Sequence, residues 1–301
     1  MKLIRKGKVK KVYEVDDKTL EFEFTDHISV FDKVIPNRIP YKGETLCRSS
    51  AFWFQLLRKN GVRTHFSELV PPNRMRVRKV DVIPEYDKLN QQRSNYLIPL
   101  EFISRMYVAG SLYDRIKSNE MPPENLGFPK DHAVKYGDKL PRTFHEVTTK
   151  LEPMDRPLSV EEAIRISAMT AEEYDKAVEM IERVDELIAN EVEDRMLIHV
   201  DGKKELAFDD KRRLMIVDTF GTADEDRWWD EDEYIKGNCV ELSKETVRQY
   251  YRAIGYHDQL YGARKAGREE PDIPPLPEEK VEEVSALYIE MFERLTGESF
   301  R

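Results

Sequence analysis

The chain has 301 residues, and its 49 Lys and Arg against 58 Asp and Glu give a formal net charge of −9 at pH 7. A chain of this length buries a sizeable core without disulfides or a structural metal, as one large domain or two smaller ones. The acidic balance argues against a dedicated nucleic-acid binder, and the 10% aromatic content argues against a disordered polymer.

The two cysteines, Cys47 and Cys239, form no metal-ligand or redox motif, which is typical of reduced thiols in a cytoplasmic protein. The first fifteen residues lack the apolar core of a signal peptide. No window approaches eighteen uninterrupted apolar residues, so no transmembrane helix is predicted. We therefore expect a cytoplasmic protein that does not act at a membrane.

The first hundred residues are predicted to form a small lobe rich in β-strands. Leu20, Phe22 and Phe24 alternate with acidic residues, a pattern that is typical of a half-buried antiparallel strand. A helix follows, for which Ser49 or Ser50 is the predicted N-cap because serine side chains accept hydrogen bonds from the first turn. The predicted elements of this lobe are strands over 8–15, 19–25, 62–69 and 75–82 and a helix over 49–60.

A larger α/β lobe is predicted over residues 99–301, which leaves residues 1–98 to the small lobe. Prolines are frequent over 112–158, and this segment is therefore predicted to be mostly loop. The predicted helices, the first two of which start at capping boxes, cover 160–168, 171–195, 244–254 and 278–295. The other predicted features are a strand ending at Val200, an apolar run over 214–218, a charged loop in which Trp228 and Trp229 serve packing, and a proline-rich linker over 262–279.

Gly7, Lys8 and Lys10 are the first group of residues that could carry chemistry. On a strand, Lys8 and Lys10 would project from one face, where two ammonium groups repel each other unless an anion lies between them. A phosphate chain beneath a hairpin that starts at Gly7 would supply that anion. A solvent-exposed basic edge strand explains the same spacing, and from the spacing alone it is the favoured interpretation.

Asp201, Lys203 and Glu205 are a second group, because they share one face if a single strand runs through them. The next apolar run ends in Asp218, so that a hairpin would bring a second carboxylate near Glu205. Two carboxylates beside phosphate oxygens are a usual way of holding Mg²⁺ in nucleotide enzymes. The alternative is that Asp201 and Gly202 form a hairpin tip, since Asp-Gly is a strong type I′ turn signal. The residues alone support the turn at least as well as the strand.

Arg105, Gly110 and Ser111 are a third group, able to hold a small phosphate monoester through guanidinium, backbone N–H and hydroxyl groups. An ordinary loop is the alternative, and it is favoured without further information. The segment 148–150, Thr-Thr-Lys, is a weaker candidate for an anion-binding loop. The motifs of P-loop enzymes, dinucleotide-binding folds and α/β-hydrolases do not occur.

Taken in order, these segments resemble one family across nearly the whole chain, the SAICAR synthetases (phosphoribosylaminoimidazole-succinocarboxamide synthases) of purine biosynthesis. The family pattern P-x-E-x-x-x-R-x-x-x-x-G-S is kept by Pro99, Glu101, Arg105, Gly110 and Ser111. The other matching segments are GKVKKVYEV, TDHISVFDKVIPNRIPYKGETL, SSAFWFQLL, TTK, VDGKKELAF, VDTFGTADEDRWW and YIEMFERLTG.

The resemblance implies an ATP-dependent ligase that joins a carboxyaminoimidazole ribonucleotide (CAIR) to aspartate through an acyl phosphate. It also implies an α+β fold of two lobes, in which a small β-rich lobe resembling the kinase N-lobe lies on a larger α/β lobe. ATP and Mg²⁺ would bind in the cleft between the lobes. The implied partners are small-molecule substrates, without nucleic acid or membrane, and a homo-oligomer stays an open alternative.

The resemblance also implies a role for each group of residues. Glu205 and Asp218 would bind Mg²⁺ and, together with Lys203, would be the catalytic residues. The residues implied for ATP are Gly7, Lys8, Lys10 and Lys203, with Leu97 and Ile98 as the hinge against adenine. The residues implied for the ribonucleotide or amine substrate are Arg105, Gly110, Ser111, Lys150, Asp224 and Arg227.

Four positions depart from the family pattern near the implied substrate site. His27 replaces the arginine of S-D-R, and Glu146 with Val147 replaces a T-P pair. Thr219 replaces a glutamate, and Asp226 replaces a serine of the P-D-S-S-R loop, which adds a negative charge beside the predicted pocket. Two alternatives therefore stay open: a diverged amide ligase with another amine or carboxylate, and a nucleotide-binding regulatory protein without turnover.

Overall fold

The computed structural model describes residues 1–301, in which twelve strands and eight α-helices build two packed lobes. The strands are β1 (Lys2–Lys6), β2 (Lys10–Asp16), β3 (Thr19–Phe24), β4 (His27–Val30), β5 (Lys33–Arg38), β6 (Phe66–Val70), β7 (Arg74–Arg78), β8 (Tyr96–Tyr107), β9 (Lys139–Thr149), β10 (Leu197–Phe208), β11 (Leu214–Val217) and β12 (Asp226–Asp230). The helices are α1 (Lys42–Lys59), α2 (Gly110–Lys117), α3 (Val160–Ser167), α4 (Ala171–Val192), α5 (Glu231–Ile235), α6 (Glu245–Ala253), α7 (Tyr256–Lys265) and α8 (Glu278–Thr296).

Two antiparallel sheets define the lobes. The smaller lobe carries the sheet β1-β2-β3-β7-β6, the ribbon β4-β5 and helix α1, as its alternating apolar pattern predicts. The larger lobe carries the sheet β11-β10-β8-β9, with β12 paired to the first half of β10. The predicted α+β fold of two lobes is confirmed, and the predicted boundary after residue 98 lies within β8.

One apolar core runs through both lobes. Fifty buried side chains form a single cluster that extends from β3 to α8, so the lobes share their interior. Phe54 of α1 shows how the parts join, because its ring stacks on Phe66 at 5.4 Å and meets the edge of Phe220 at 5.3 Å. Helix α8 packs against α1, which returns the end of the chain to the smaller lobe.

Helix α1 begins seven residues earlier than predicted. Ser49 and Ser50 lie buried in its middle, where the Ser50 hydroxyl donates to the Leu46 carbonyl at 2.7 Å. A serine inside a helix can satisfy its hydroxyl by donating to a carbonyl of the preceding turn, as Ser50 does. The prediction of either serine as N-cap is therefore wrong. Tyr41, with φ at 64°, occupies the N-cap position instead.

The prediction that the segment 112–158 is mostly loop is confirmed, although the segment also contains most of α2 and the whole of β9. Pro141 lies inside β9, and a proline is tolerated there because β9 is an edge strand of its sheet. The predicted loop at Trp228 and Trp229 is wrong, since both residues belong to β12. Their rings are fully buried, so their predicted role in packing is confirmed.

The helices marked by capping boxes are confirmed. The Ser159 hydroxyl accepts from the Glu162 amide at 3.2 Å, and Thr170 and Glu173 form a complete reciprocal box at the start of α4. The last helix is confirmed as well and ends at Gly297. The predicted linker begins too early, because α7 extends to Lys265. No helix combines the length and the apolar character that crossing a membrane requires.

Ile188 on the buried face of α4 provides a test of this packing. Its side chain is fully buried in the shared core, so Ile188→Ala should lower the free energy of unfolding by about 2–5 kcal/mol, measured by urea denaturation. The matched control is Glu179→Ala on the exposed face of α4, for which we expect a change within about 0.5 kcal/mol. Equal losses in both variants would contradict the packing of α4.

Candidate active site

The segment Asp201–Glu205 lies inside β10, so the strand interpretation is confirmed and the hairpin tip at Asp-Gly is wrong. Side chains alternate along the strand, and Asp201, Lys203 and Glu205 therefore point to one face. We call this face of the larger sheet the reactive face. At about 3.3 Å per residue, Asp201 and Glu205 stand roughly 13 Å apart along it.

Strand pairing determines which residues accompany these three side chains. Glu205 lies opposite Glu101 of β8 and opposite Val217 of β11, whose next residue is Asp218. Asp201 lies opposite Arg105 of β8 and opposite Arg227 of β12. Directly paired antiparallel residues face the same side of a sheet, so the reactive face carries charged residues at both ends of this stretch of β10.

Three lysines and four carboxylates form a network of ion pairs at the Glu205 end of the reactive face. Lys150 donates to Glu101 at 2.8 Å and to Glu205 at 2.6 Å. Lys203 reaches Glu101 at 3.1 Å and Glu225 at 3.3 Å. Lys10, at the start of β2, contacts the Asp218 carboxylate and so brings the smaller lobe into the group. We call this set, Lys10, Lys150 and Lys203 with Glu101, Glu205, Asp218 and Glu225, the lysine–carboxylate cluster.

The cluster affects its lysines unequally. Burial lowers the pKa of Lys10 to about 8, although Glu205 and Glu225 act in the opposite direction. Burial also acts to lower the pKa of Lys203, but Glu225, Glu101 and Glu205 outweigh it and hold the value well above the ordinary range. Lys203 is therefore a permanent cation, whereas Lys10 titrates close to neutral pH.

Two carboxylates of the cluster fit a magnesium ion that is shared with phosphates. No group of three or more His, Cys, Asp or Glu side chains is arranged to hold an ion by protein ligands alone. Mg²⁺ beside nucleotides usually takes one or two carboxylates and completes its shell with phosphate oxygens and water. Glu205 and Asp218 meet that requirement, since Glu205 lies opposite Val217, the residue before Asp218, and both carboxylates act on the Lys10 ammonium group.

Apolar side chains continue the reactive face beyond Glu205. Leu97 lies opposite Ala207, and the two pack with Met215 and Val217, flanked by Val80 and Leu151. This apolar cluster offers a flat partner for a nucleobase next to the lysine–carboxylate cluster. The side chain of Ile98, by contrast, is fully buried in the shared core on the other face, so only its backbone is available to a ligand.

Arginines gather at the Asp201 end of the face. Arg105 donates to Glu146 at 2.7 Å, to Asp201 at 3.5 Å and to the Ser111 hydroxyl at 3.3 Å. Arg227 contacts Asp201 as well. Gly110, with φ at +50°, lies so close to Arg227 that a Cβ would stand 2.7 Å from its guanidinium nitrogen. The structure thus brings together four of the residues that the resemblance implies for the substrate.

Lys8 is not part of either group. It lies outside β2, half-exposed, and pairs with Asp32 at 2.6 Å, so the prediction that Lys8 and Lys10 share one strand face is wrong. The Gly7 amide donates to the Lys10 carbonyl at 2.8 Å and closes a tight turn that directs the chain into β2. Gly7 therefore shapes the approach of Lys10 to the cluster.

Asp224 is enclosed by the protein itself. Its carboxylate accepts from Lys42 at 2.8 Å and from the Tyr288 hydroxyl at 2.5 Å, and all three side chains are almost completely buried. Burial would raise the pKa of Asp224, but Lys244 and Lys42 hold it below its ordinary value. Asp224 thus ties α1 and α8 to the loop that follows Asp218.

Sequence reasoning missed Glu101 and Glu225 as members of the site. Glu101 matches the family pattern without an implied role, and no local signal marks Glu225. Both contact Lys203, and Glu101 faces Glu205 because of the pairing of β8 with β10. That pairing joins residues about a hundred positions apart, and no local pattern gives its register.

Comparison with known proteins identifies the family and the fold. A family model described as SAICAR synthetase matches residues 3–261. A phosphoribosylaminoimidazole-succinocarboxamide synthase from Thermoplasma acidophilum is 55% identical over 300 residues, which is 100% of both chains. A protein of the same name from Saccharomyces cerevisiae is 28% identical, covering 98% of this chain and 94% of its own.

Two solved structures share the whole fold. The first, "SAICAR synthetase (Type-2) in complex with ADP", has a TM-score of 0.71 and 25% identity, and covers 99% of each chain. The second, "SAICAR-synthase from Saccharomyces cerevisiae complexed SAICAR", has a TM-score of 0.76 and 25% identity, covering 99% of this chain and 95% of its own. Since the family model matches well over half of the sequence and the relatives align along its full length, the chain belongs to the SAICAR synthetase family.

Proposed function

We propose that this protein is an ATP-dependent ligase that condenses CAIR with L-aspartate to give SAICAR, ADP and phosphate in purine biosynthesis. Membership of the SAICAR synthetase family and the 55% identity to a synthase support this reaction. The observation that carries the proposal is the reactive face, where the lysine–carboxylate cluster and the arginine-lined end adjoin the same stretch of β10.

The reaction needs positioned charge more than covalent help from the protein. A carboxylate is a poor electrophile, so its oxygen first attacks the γ-phosphorus of ATP, and ADP leaves. The amine of aspartate then attacks the carbonyl carbon of the acyl phosphate, the C–N bond forms, and the C–O bond to phosphate breaks. The amine loses a proton in this step. Fixed cations beside the phosphates stabilise both displacements.

The lysine–carboxylate cluster is the site that we assign to the ATP phosphates. Lys10 from the smaller lobe and Lys203 from the larger one would face the phosphate chain from two sides. The apolar cluster around Leu97 would take the adenine ring, with the backbone at Ile98 as the hinge. Gly7 shapes the turn that positions Lys10, and Lys8 stands at the edge of the cleft, where its contact with ATP stays a prediction.

Glu205 and Asp218 would hold Mg²⁺ between themselves and the phosphate oxygens. When bound, the ion supplies neutralisation of the charge that develops on the transferred phosphoryl group. Lys10 contacts Asp218 and Lys150 contacts Glu205, so these contacts already orient the carboxylates that would bind the ion.

The arginine-lined end is the site that we assign to the 5′-phosphate of the ribonucleotide. Arg105, Arg227 and the Ser111 hydroxyl converge there, and Gly110 leaves room for the guanidinium of Arg227. Glu146 and Asp201 hold the two guanidinium groups in place. Lys150 belongs to the lysine–carboxylate cluster, where it contacts Glu101 and Glu205, and we assign it to the carboxylate that becomes phosphorylated.

One assay distinguishes this function from its alternatives. The protein is supplied with ATP, Mg²⁺, CAIR and aspartate, and both ADP and SAICAR are followed. Formation of both in equal amounts supports the proposal. ADP formation only with another amine would indicate a diverged ligase, and tight ATP binding without turnover would indicate a regulatory protein.

Neutralising the two carboxylates assigned to Mg²⁺ should remove most turnover. We expect Glu205→Gln and Asp218→Asn each to lower kcat by at least about 100-fold, because each loses a charged ligand of the ion. Circular dichroism melts should show that both variants fold. Asp210→Asn, an exposed carboxylate in the β10–β11 turn, is the matched control and should keep the rate. Rates like the unmodified protein in both variants would refute the assignment.

Removing Arg105 should chiefly weaken the ribonucleotide. Arg105→Ala loses a charged phosphate contact, for which we expect a cost of roughly 2–4 kcal/mol, seen as an increase in KM for CAIR with little change in KM for ATP. Arg142→Ala, an exposed arginine on β9, is the control and should leave both constants unchanged. An unaltered KM for CAIR in Arg105→Ala would exclude Arg105 from the site.

Lys10 should make ATP use sensitive to pH. Its pKa of about 8 means that the free protein loses this cation as pH rises from 7 to 9. We therefore expect kcat/KM for ATP to fall above about pH 8, because this ratio reports ionisation of the free enzyme. Lys10→Arg keeps its charge over this range and should flatten the profile. A variant profile that still falls at the same pH would assign the titration to another group.

A further inference from the structure

A group of buried charges lies beneath the reactive face, on the opposite side of β10. Lys204 stands between Lys203 and Glu205 in sequence and therefore points the other way, where it is fully buried. Its ammonium group donates to Asp185 of α4 at 2.5 Å and lies 3.6 Å from Asp226 of β12. Burial acts to lower the pKa of Lys204, but Asp185 and Asp226 outweigh it, so the side chain stays a cation.

Asp226 connects this buried group of charges to the candidate active site. Its side chain is completely buried, and one carboxylate oxygen lies 2.6 Å from Nε2 of His199. The other oxygen accepts from the backbone amide of Gly221 at 2.9 Å. A buried carboxylate with a ring N–H, a backbone N–H and an ammonium group around it has a fixed position, since leaving any of these groups unpaired in the interior costs free energy.

Gly202 gives Asp226 the space it needs. The two residues are directly paired between β10 and β12, and a Cβ at position 202 would overlap the Asp226 carboxylate. The glycine in Asp201-Gly202 is thus explained by close packing of a neighbouring side chain. It does not mark a turn.

Asp226 fixes two parts of the loop between β11 and β12, which carries several of the proposed catalytic and binding groups. Its neighbours in sequence are Glu225, which pairs with Lys203, and Arg227, which pairs with Asp201, and both face the reactive side. Through the Gly221 amide it also holds the part of the loop that follows Asp218. The Gly221 carbonyl accepts from the Trp53 indole at 2.8 Å, so the peptide groups before and after the Cα of Gly221 each have a fixed partner.

We propose that Asp226, fixed from beneath by Lys204 and His199, is a positioning residue that sets Asp218, Glu225 and Arg227 against the reactive face. The inference rests on the proposed function, because it assigns these three residues to the ATP and ribonucleotide sites. Asp226 itself touches neither ligand. The family pattern has serine here, so this chain holds the loop with a buried ion pair where an uncharged residue is usual.

Asp226→Ala tests the proposal. Losing the acceptor of the Gly221 amide should lower kcat by about 10- to 100-fold and weaken binding of ADP with Mg²⁺, measured by calorimetry, by at least about fivefold. Asp226→Asn keeps an oxygen for the Gly221 amide, and Lys204 keeps Asp185, so this variant should restore both values to within about threefold. Gly202→Ala displaces the carboxylate without removing a charge and should change kcat and ADP binding in the direction of Asp226→Ala. It also decides the question if Asp226→Ala does not fold.

The matched control is Asp185→Asn. It removes the other partner of Lys204 but touches no part of the loop, so it should lower the melting temperature while kcat and ADP affinity stay within about twofold of the unmodified protein. If Asp226→Ala and Gly202→Ala, like Asp185→Asn, lower only the melting temperature and leave kcat and ADP affinity within about twofold, Asp226 is only structural and the proposal is overturned. Absence of turnover in the unmodified protein would refute the proposed function instead, and ADP affinity in the variants would still test the role of Asp226.

Discussion

The register of β10 against its three neighbours is the constraint on which the rest of the molecule depends. Because side chains alternate, this pairing places Asp201, Lys203 and Glu205 on the reactive face and Gly202 and Lys204 beneath it. A slip by one residue would bury the reactive charges against α4 and expose the structural ones. The buried pair of Lys204 with Asp185 therefore supports the register, since a slip by one residue would turn Lys204 away from its carboxylate.

The free protein already contains a counter-charge for nearly every cation that we assign to a phosphate. Lys10 contacts Asp218, Lys150 contacts Glu101 and Glu205, and Arg105 contacts Glu146. Lysines and arginines that converge without such partners would repel one another and lose solvation. The carboxylates orient these cations, so a phosphate or a bound ion meets groups that need little rearrangement. The cost is that each ligand competes with an internal carboxylate for its cation.

Much of the fold could be predicted from local pattern, and the failures have physical causes. The capping boxes of α3 and α4 are satisfied by residues three positions apart, so their signal is contained in the sequence. Asp201-Gly202 is different, because its intrinsic turn preference is overridden by pairing with β8 and β12. The start of α1 was missed for a similar reason, since Lys42 is buried against Asp224 from a distant loop and not marked by a local cap.

The site itself was predictable only as separate groups. Family resemblance implied roles for Lys10, Lys203, Glu205 and Asp218, but it gave none to Glu101, which joins the cluster through the register that pairs β8 with β10. The lysines at positions 8 and 10 show the limit of a spacing rule: the tight turn at Gly7 places Lys8 outside the strand, so the period of two does not apply to it.

Asp226 shows that a departure in sequence need not be a departure in the binding pocket. Read along the chain, an aspartate in place of a serine adds a negative charge beside the substrate. In the folded protein β12 directs the Asp226 side chain to the far face, where Lys204 balances its charge and His199 forms a hydrogen bond with it. The side chains of Glu225 and Arg227 point to the reactive face. The charge that a substrate meets at this loop is therefore determined by Glu225 and Arg227. Selection of the amine would then depend on side chains that reach the reactive face, because those contribute to the free energy of binding the transition state.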